Sequence, residues 1–319
     1  MTSPQPKVVF LDRLAIRAPI RPLQFAHEWV EYPTTAQADA VTRLAGATIA
    51  ITNRVFLGKD IIEQLPELRL IAVSATGYEC IDVAACRDAG IVVTNVRDWS
   101  TYAVAEHAFA MMLCLRRQLL LYREAIRQGE WQRSSFYGLL KDPLPSDLYG
   151  NTLGIIGFGH LGRRIAHLGS TFGMEVLIAG RIGQDASDGR TRFEEVLGRA
   201  DVLCIACPLT PETRDLIGSE ELAKMKPSTV VINCARGGIV NETAAANALR
   251  NGLIGGLGTD VLSTEPPREG NPLLELELPN LILTPHMAFA SENALASLAE
   301  QLMTNIEAFV RGEPRNVVS

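Results

Sequence analysis

Short β-branched runs alternate with stretches whose apolar residues recur at helical spacing, and the alternation persists along the whole chain. In the first third the apolar runs "VVFLD" (8–12), "ATIAIT" (47–52), "LRLIAVSA" (68–75) and "IVVTN" (91–95) predict strands. Between them "AQADAVTRLAG" and "VAACRDAG" predict helices, each closed by a glycine that suits a C-cap. From residue 100 the spacing changes. "TYAVAEHAFAMMLCLRRQLLLYREAIRQG" predicts one long helix with Val104, Ala108, Met111, Leu115 and Leu119 on its packed face. A loop over 141–151 follows, and then six more strand-like runs: "TLGIIGFG", "MEVLIAG", "VLCIACP", "TVVINCAR", "GLGTDVL" and "LILTPH". The C-terminal stretch "ENALASLAEQLMTNIEAFVRG" predicts an amphipathic helix with Leu295, Leu298, Leu302, Ile306 and Phe309 on one face. Strands alternating with helices mean parallel sheets covered on both faces, and six strands opening on a glycine-rich turn match a doubly wound dinucleotide domain.

Composition narrows the class. A chain of 319 residues, 47% hydrophobic and 21% charged, is long enough for two domains with real cores. No apolar run approaches the roughly 18 to 20 residues of a membrane helix, and the first residues show no signal-peptide pattern. A net charge of −6 without basic clusters argues against nucleic acid and anionic membranes as partners. Six cysteines lie mostly in apolar segments, which predicts reduced thiols and a cytoplasmic location. Cys204 and Cys207 form a C-x-x-C, but inside a strand-like run rather than at a helix start, so neither a redox pair nor a metal site is expected.

The candidate chemistry begins at "GIIGFGHLGRRIA", where Gly157, Gly159 and Gly162 make a G-x-G-x-x-G between a strand and a helix. The first glycine allows the tight turn, the second a close approach to pyrophosphate, the third close helix–strand packing. The amides of His160 and Leu161 would face the phosphates at the positive helix end. The next strand closes on Gly180-Arg181, where an acidic residue would bind an adenosine ribose and repel a 2′-phosphate. Glycine removes that repulsion and arginine supplies a planar donor fork, so NADP(H) is the preferred cofactor and NAD(H) the alternative. Asp185 in the same loop weighs against this, and a surface or adenine-stacking Arg181 is the competing explanation.

Ligands of open parallel sheets bind beyond the carboxyl ends of the strands. Arg236 ends "TVVINCAR", Glu265 lies just past "GLGTDVLST", and His286 ends "LILTPH". Singly, each has an ordinary explanation as a surface arginine, a loop glutamate or a core histidine. Together they supply what reduction of a 2-keto acid requires. The arginine holds the carboxylate and polarises the carbonyl, the histidine donates the proton, and the glutamate favours and orients the protonated histidine. Asp260, from the same region, is a candidate for the nicotinamide carboxamide, with a turn-capping role as the alternative. No metal is expected.

These segments, in order "ATGYECID", "AEHAFAMML", "LGIIGFGHLG", "CPLTPETR", "VINCARGGIV", "GLGTDVLSTEPP" and "NLILTPH", resemble the D-isomer-specific 2-hydroxyacid dehydrogenase family. Within it the chain is most similar to glycerate dehydrogenases and glyoxylate/hydroxypyruvate reductases. The resemblance implies two doubly wound α/β domains: a Rossmann dinucleotide-binding domain over 100–287, and a smaller flavodoxin-like substrate domain from 1–99 plus 288–319. It implies catalytic roles for Arg236, Glu265 and His286, and nicotinamide binding by Asp260. Cofactor contacts are implied for Cys207, Pro208 and Thr213 of "CPLTPETR", and substrate contacts for amides near Thr76 and Gly77. It further implies an active-site cleft between the domains and a homodimer formed by the helix and arm over about 100–150. The expected reaction is NADPH-dependent reduction of hydroxypyruvate or glyoxylate. A same-fold enzyme acting on phosphite, formate or a bulkier 2-keto acid, and a dinucleotide-sensing regulator, are the alternatives.

Overall fold

The computed structural model describes residues 5–184 and 187–318. The chain divides into two compact units, Met1–Ser100 with Ala290–Ser319, and Thr101–Phe289.

The first unit holds five parallel strands: β1 (Lys7–Phe10), β2 (Glu28–Glu31), β3 (Ile49–Thr52), β4 (Leu70–Val73) and β5 (Val92–Thr94). They are ordered β2-β1-β3-β4-β5, the flavodoxin-like arrangement. Every residue of β3 and β4 is buried, as expected of strands covered on both faces. The edge strand β2, "EWVE", is absent from the apolar pattern because its two glutamates face outward and only Trp29 and Val30 are half-buried. The short helices α1 (Ala40–Leu44), α2 (Lys59–Ile62) and α3 (Val83–Asp88) belong to this unit. One face of the sheet packs on Leu44, Leu57, Ile61 and Cys86. The other packs on the C-terminal helix, Glu292–Val310, through Leu298, Leu302 and Ile306, with Leu295 and Phe309 partly buried beside them. Ser291 caps that helix, accepting from the Ala294 amide at 3.2 Å.

The second unit opens with α4 (Thr101–Arg116) and α5 (Leu119–Arg127). The single long helix that the spacing predicts is therefore broken. Gln118 takes a left-handed φ of 54°, its amide donates back to Leu115 O, and its side chain donates to Pro143 O at 2.8 Å. Arg116 and Arg117 reach Asp147, so the returning loop anchors the break. Leu119 consequently leaves the packed face and is 55% exposed, while Ala108, Met111 and Leu115 stay buried. The six expected strands all form: β6 (Thr152–Ile156), β7 (Glu175–Ile178), β8 (Val202–Ile205), β9 (Val230–Asn233), β10 (Gly256–Thr259) and β11 (Leu281–Leu283). They interleave with α6 (His160–Thr171), α7 (Phe193–Arg199), α8 (Ser219–Ala223) and α9 (Glu242–Arg250). The parallel order is β11-β10-β9-β8-β6-β7, and a single bridge, Ala179 to Thr191, extends the edge beyond β7. The strand order reverses between β6 and β8, and such a switch point opens a crevice at the carboxyl ends of the strands.

Candidate active site

The glycine turn sits at that switch point. Gly157 has φ 96°, and a methyl placed there would lie 2.6 Å from the Cys207 amide nitrogen. At Gly162 a methyl would lie 2.2 Å from the Gly157 carbonyl oxygen, so this glycine is what lets α6 come down onto the turn. At Gly159 a methyl would meet nothing within 4 Å. Two glycines are therefore required by packing, and the middle one faces open space, where a ligand backbone can approach. Helix α6 begins at His160 with Gly159 as its N-cap, and its first intrahelical bond is from Arg163 N to Gly159 O. The amides of His160 and Leu161 thus precede the helical ladder at the positive end of the helix dipole. Across the turn, Cys207 and Pro208 leave β8, and Thr213 folds back so that its hydroxyl donates to Pro208 O at 2.8 Å and accepts from Thr210 N at 2.7 Å. This cradle fits a dinucleotide pyrophosphate. Cys204, two residues inside β8 from the turn, is fully buried, and burial pushes its thiol up to about 12, opposite to what thiol exchange requires.

At the end of β7, Gly180 donates its amide to Thr191 O at 2.8 Å, and Arg181 is exposed just beyond it. Arg190 donates toward Ala179 O at 3.4 Å, so a second guanidinium borders the same strand end. The Glu212 carboxyl is held below its usual range, chiefly by the Thr210 hydroxyl and in smaller part by the charge of Arg181. Asp185 lies outside the described residues.

Arg236, Glu265 and His286 all follow the carboxyl ends of neighbouring strands, β9, β10 and β11. Asn233, the last residue of β9, turns the chain toward Arg236, accepting from Ala235 N at 3.1 Å and donating to Arg236 O at 2.9 Å. The Arg236 guanidinium donates to Ala235 O at 2.9 Å. Glu265 Oε1 accepts from Leu262 N at 2.9 Å, and its Oε2 stands 2.5 Å from His286 Nδ1. That pair leaves His286 Nε2 as the nitrogen facing away from the carboxylate. Both side chains are about one quarter exposed, so they are reachable from the crevice.

Asp260 is 2% exposed and gathers the loop that carries the histidine. Its Oδ1 accepts from Met287 N at 2.8 Å and from the Thr284 hydroxyl at 2.5 Å, and its Oδ2 accepts from Ala288 N at 2.8 Å. Its backbone carbonyl accepts from His286 N at 2.8 Å. Three successive amides, 286 to 288, therefore end on one residue. They hold His286 at a φ of 50°, a left-handed conformation that costs a non-glycine residue on the order of 1 kcal/mol.

Four further residues support this loop and were not expected from sequence. Thr284 and His107 lie behind Asp260, with His107 Nε2 at 3.0 Å from Thr284 Oγ1. Glu242, in the first turn of α9, accepts from Ser263 N at 2.5 Å, Ser263 Oγ at 2.8 Å and Asn271 Nδ2 at 2.6 Å. It thereby pins the turn that leads to Glu265. Asn233 acts on Arg236 as described above. His107 falls inside the quoted segment "AEHAFAMML", and Glu242 lies two residues beyond "VINCARGGIV", outside every quoted segment.

In the first unit, Thr76 is exposed after β4 and Gly77 half-buried. The Thr76 hydroxyl donates to Val96 O at 3.0 Å and accepts from Trp99 Nε1 at 3.1 Å, while its carbonyl accepts from Asn95 Nδ2 at 2.8 Å. This turn is therefore held from both sides.

A glycine turn before α6 and an Arg–Glu–His set at the carboxyl ends of three neighbouring strands fit a nicotinamide-dependent dehydrogenase. Residues 109–288 match the family model described as D-isomer specific 2-hydroxyacid dehydrogenase, NAD binding domain. The chain is 46% identical to a glycerate dehydrogenase of Methylorubrum extorquens over 98% of both chains. It is 31% identical to a hydroxypyruvate reductase of Blautia hydrogenotrophica, covering 93% of this chain and 94% of that one. The structure superposes with a TM-score of 0.81 on an NADPH-dependent glyoxylate/hydroxypyruvate reductase from Sinorhizobium meliloti, at 28% identity and covering 99% and 98% of the two chains. The chain belongs to the D-isomer-specific 2-hydroxyacid dehydrogenase family and is an NAD(P)-dependent oxidoreductase of that type.

Proposed function

We propose that the protein reduces hydroxypyruvate and glyoxylate to their D-2-hydroxy acids, with NADPH preferred over NADH. The observation that carries the proposal is the 2.5 Å pairing of Glu265 with His286 Nδ1 at the same sheet edge as Arg236. A bound reduced nicotinamide supplies the hydride. His286 delivers its Nε2 proton to the developing alkoxide, and Glu265 holds the ring in orientation through Nδ1. Arg236 grips the substrate carboxylate. Asp260 would hold the nicotinamide carboxamide. Residues Gly157 to Gly162, Gly180, Cys207, Pro208 and Thr213 would line the cofactor, and Arg181 would take the 2′-phosphate. The test is kcat/KM with hydroxypyruvate for His286→Ala and Arg236→Ala. Each should fall by roughly 10²–10⁴-fold, the usual worth of a general acid or a specific charged contact. Near wild-type values in both would remove this mechanism.

The working form is a homodimer in the cytoplasm. The second unit carries Trp131, Tyr137, Leu140 and Tyr149 at 50%, 87%, 72% and 79% exposure, more apolar surface than one short segment of a monomer usually leaves in water. Among the described residues no helix is long and apolar enough to cross a membrane.

A further inference from the structure

The fold brings a second histidine to the back of the site, 177 residues earlier in sequence than its partner. His107 projects from α4 with 19% of its side chain exposed, and its Nε2 lies 3.0 Å from the Thr284 hydroxyl oxygen and 3.9 Å from Asp260 Oδ1. Proton positions follow from the partners. The Thr284 hydroxyl donates its one hydrogen to Asp260 Oδ1 at 2.5 Å. The hydroxyl lone pairs are left facing His107, so Nε2 carries a hydrogen and donates it. The chain of donors runs in one direction: His107 to Thr284, Thr284 to Asp260. Asp260 in turn holds the amides of Met287 and Ala288 through its carboxylate and that of His286 through its carbonyl.

We infer that His107 is a positioning residue for the reaction: by fixing the rotation of the Thr284 hydroxyl it sets the Asp260 carboxylate, and with it the backbone geometry of His286. The inference rests on the reading of Asp260 and His286 given above. A threonine hydroxyl without the His107 donor can turn its hydrogen elsewhere, and Asp260 Oδ1 then keeps one donor where it had two. The carboxylate is almost fully buried, so water does not replace the missing bond cheaply. The left-handed backbone at His286 relaxes toward commoner geometry as its tethers loosen, and the imidazole moves off the position from which it protonates the substrate. Small misplacements of catalytic groups lower turnover more than they lower substrate binding.

The experiment is steady-state kinetics with hydroxypyruvate on His107→Ala, His107→Gln, Thr284→Val and the double variant His107→Ala/Thr284→Val, with His286→Ala as reference. His107→Ala should lower kcat roughly tenfold, with KM for hydroxypyruvate changed less than about threefold. His107→Gln, whose amide nitrogen reaches the place of Nε2, should recover kcat to within about threefold of wild type. The double variant should be no slower than Thr284→Val alone, because the histidine acts only through the hydroxyl. A His107→Ala enzyme with kcat within twofold of wild type, a glutamine no better than alanine, or losses that multiply in the double variant would each overturn the inference. Should His107→Ala fail to fold, Thr284→Val against Thr284→Ser carries the same test: serine keeps the hydroxyl and should keep kcat, and equal losses in the two would count against it. An unimpaired His286→Ala would instead refute the underlying mechanism, so the two failures are distinct.

Discussion

Individual residues carry the chemistry here by being held, and the holding is mostly done by backbone amides. Glu265 illustrates this: one oxygen is fixed by Leu262 N, the other meets His286. Glu265→Gln keeps the shape and removes the charge, so kcat/KM with hydroxypyruvate should fall about 10- to 100-fold as His286 loses the carboxylate on Nδ1; an unchanged value would show that orientation alone is enough. Gly237 gives a sharper steric case, because a methyl there would lie 1.9 Å from Leu262 O, a contact that only backbone movement relieves. Gly237→Ala should therefore displace the turn bearing Glu265, lowering both the melting temperature and kcat, and a variant matching wild type in both would refute that dependence. Arg236, Glu265, His286 and the glycines were legible in the sequence because each is a chemically useful or conformationally special residue at a strand end. Thr284, His107 and Glu242 were not. Their significance is a hydrogen bond to a distant residue, and no local spacing encodes a partner 177 positions away.

Elements were legible where burial imposes a period and illegible where it does not. Strands β3, β4, β8 and β9 are buried at every residue and read directly as apolar runs. Edge strand β2 shows only two apolar residues between glutamates, and the break between α4 and α5 has neither glycine nor proline to announce it. That break depends on Gln118 and the arginines before it reaching a loop some thirty residues later. Tertiary contact, not propensity, decides it. The C-terminal helix is tied to its sheet in a way that carries a pH signature. Arg21 pairs with Glu300 at 2.9 Å and with the buried Glu307 at 2.5 Å, and hydrogen bonds from Arg21 hold both carboxyls below their usual range. A depressed carboxyl contributes stability that is present above its unfolded value near 4.5 and is lost as pH falls through the folded value. Arg21→Ala should therefore cost about 1–3 kcal/mol at pH 7, a range reduced for the partial exposure of the arginine. The gap between the two melting curves should narrow at pH 4. An equal gap at both pH values would show that the pairing contributes packing rather than charge.

At the scale of the whole molecule, two parallel-sheet units of different strand order define the family, and the alternation of runs along the chain foretold both sheets. Assembly is less legible, since it rests on which apolar residues stay exposed after folding. Tyr137, Leu140 and Tyr149 become candidates for a subunit contact only once their exposure is known. Sedimentation should give about twice the 34.7 kDa of the chain, and replacing Tyr137 and Leu140 with serine should shift it toward that single-chain mass; a monomeric wild type would refute the assembly. The proposed NADPH preference rests on one strand end, where Gly180 and Arg181 stand in place of an acid, Arg190 adds a second cation, and Glu212 opposes them. The proposed NADPH-preferring reduction of small 2-keto acids is tested by kcat/KM for NADPH and for NADH at saturating hydroxypyruvate in one buffer. The account predicts at least a tenfold preference for NADPH, about 1.4 kcal/mol at the transition state, that collapses in Arg181→Ala. Turnover that favours NADH, or a preference untouched by Arg181→Ala, would contradict it.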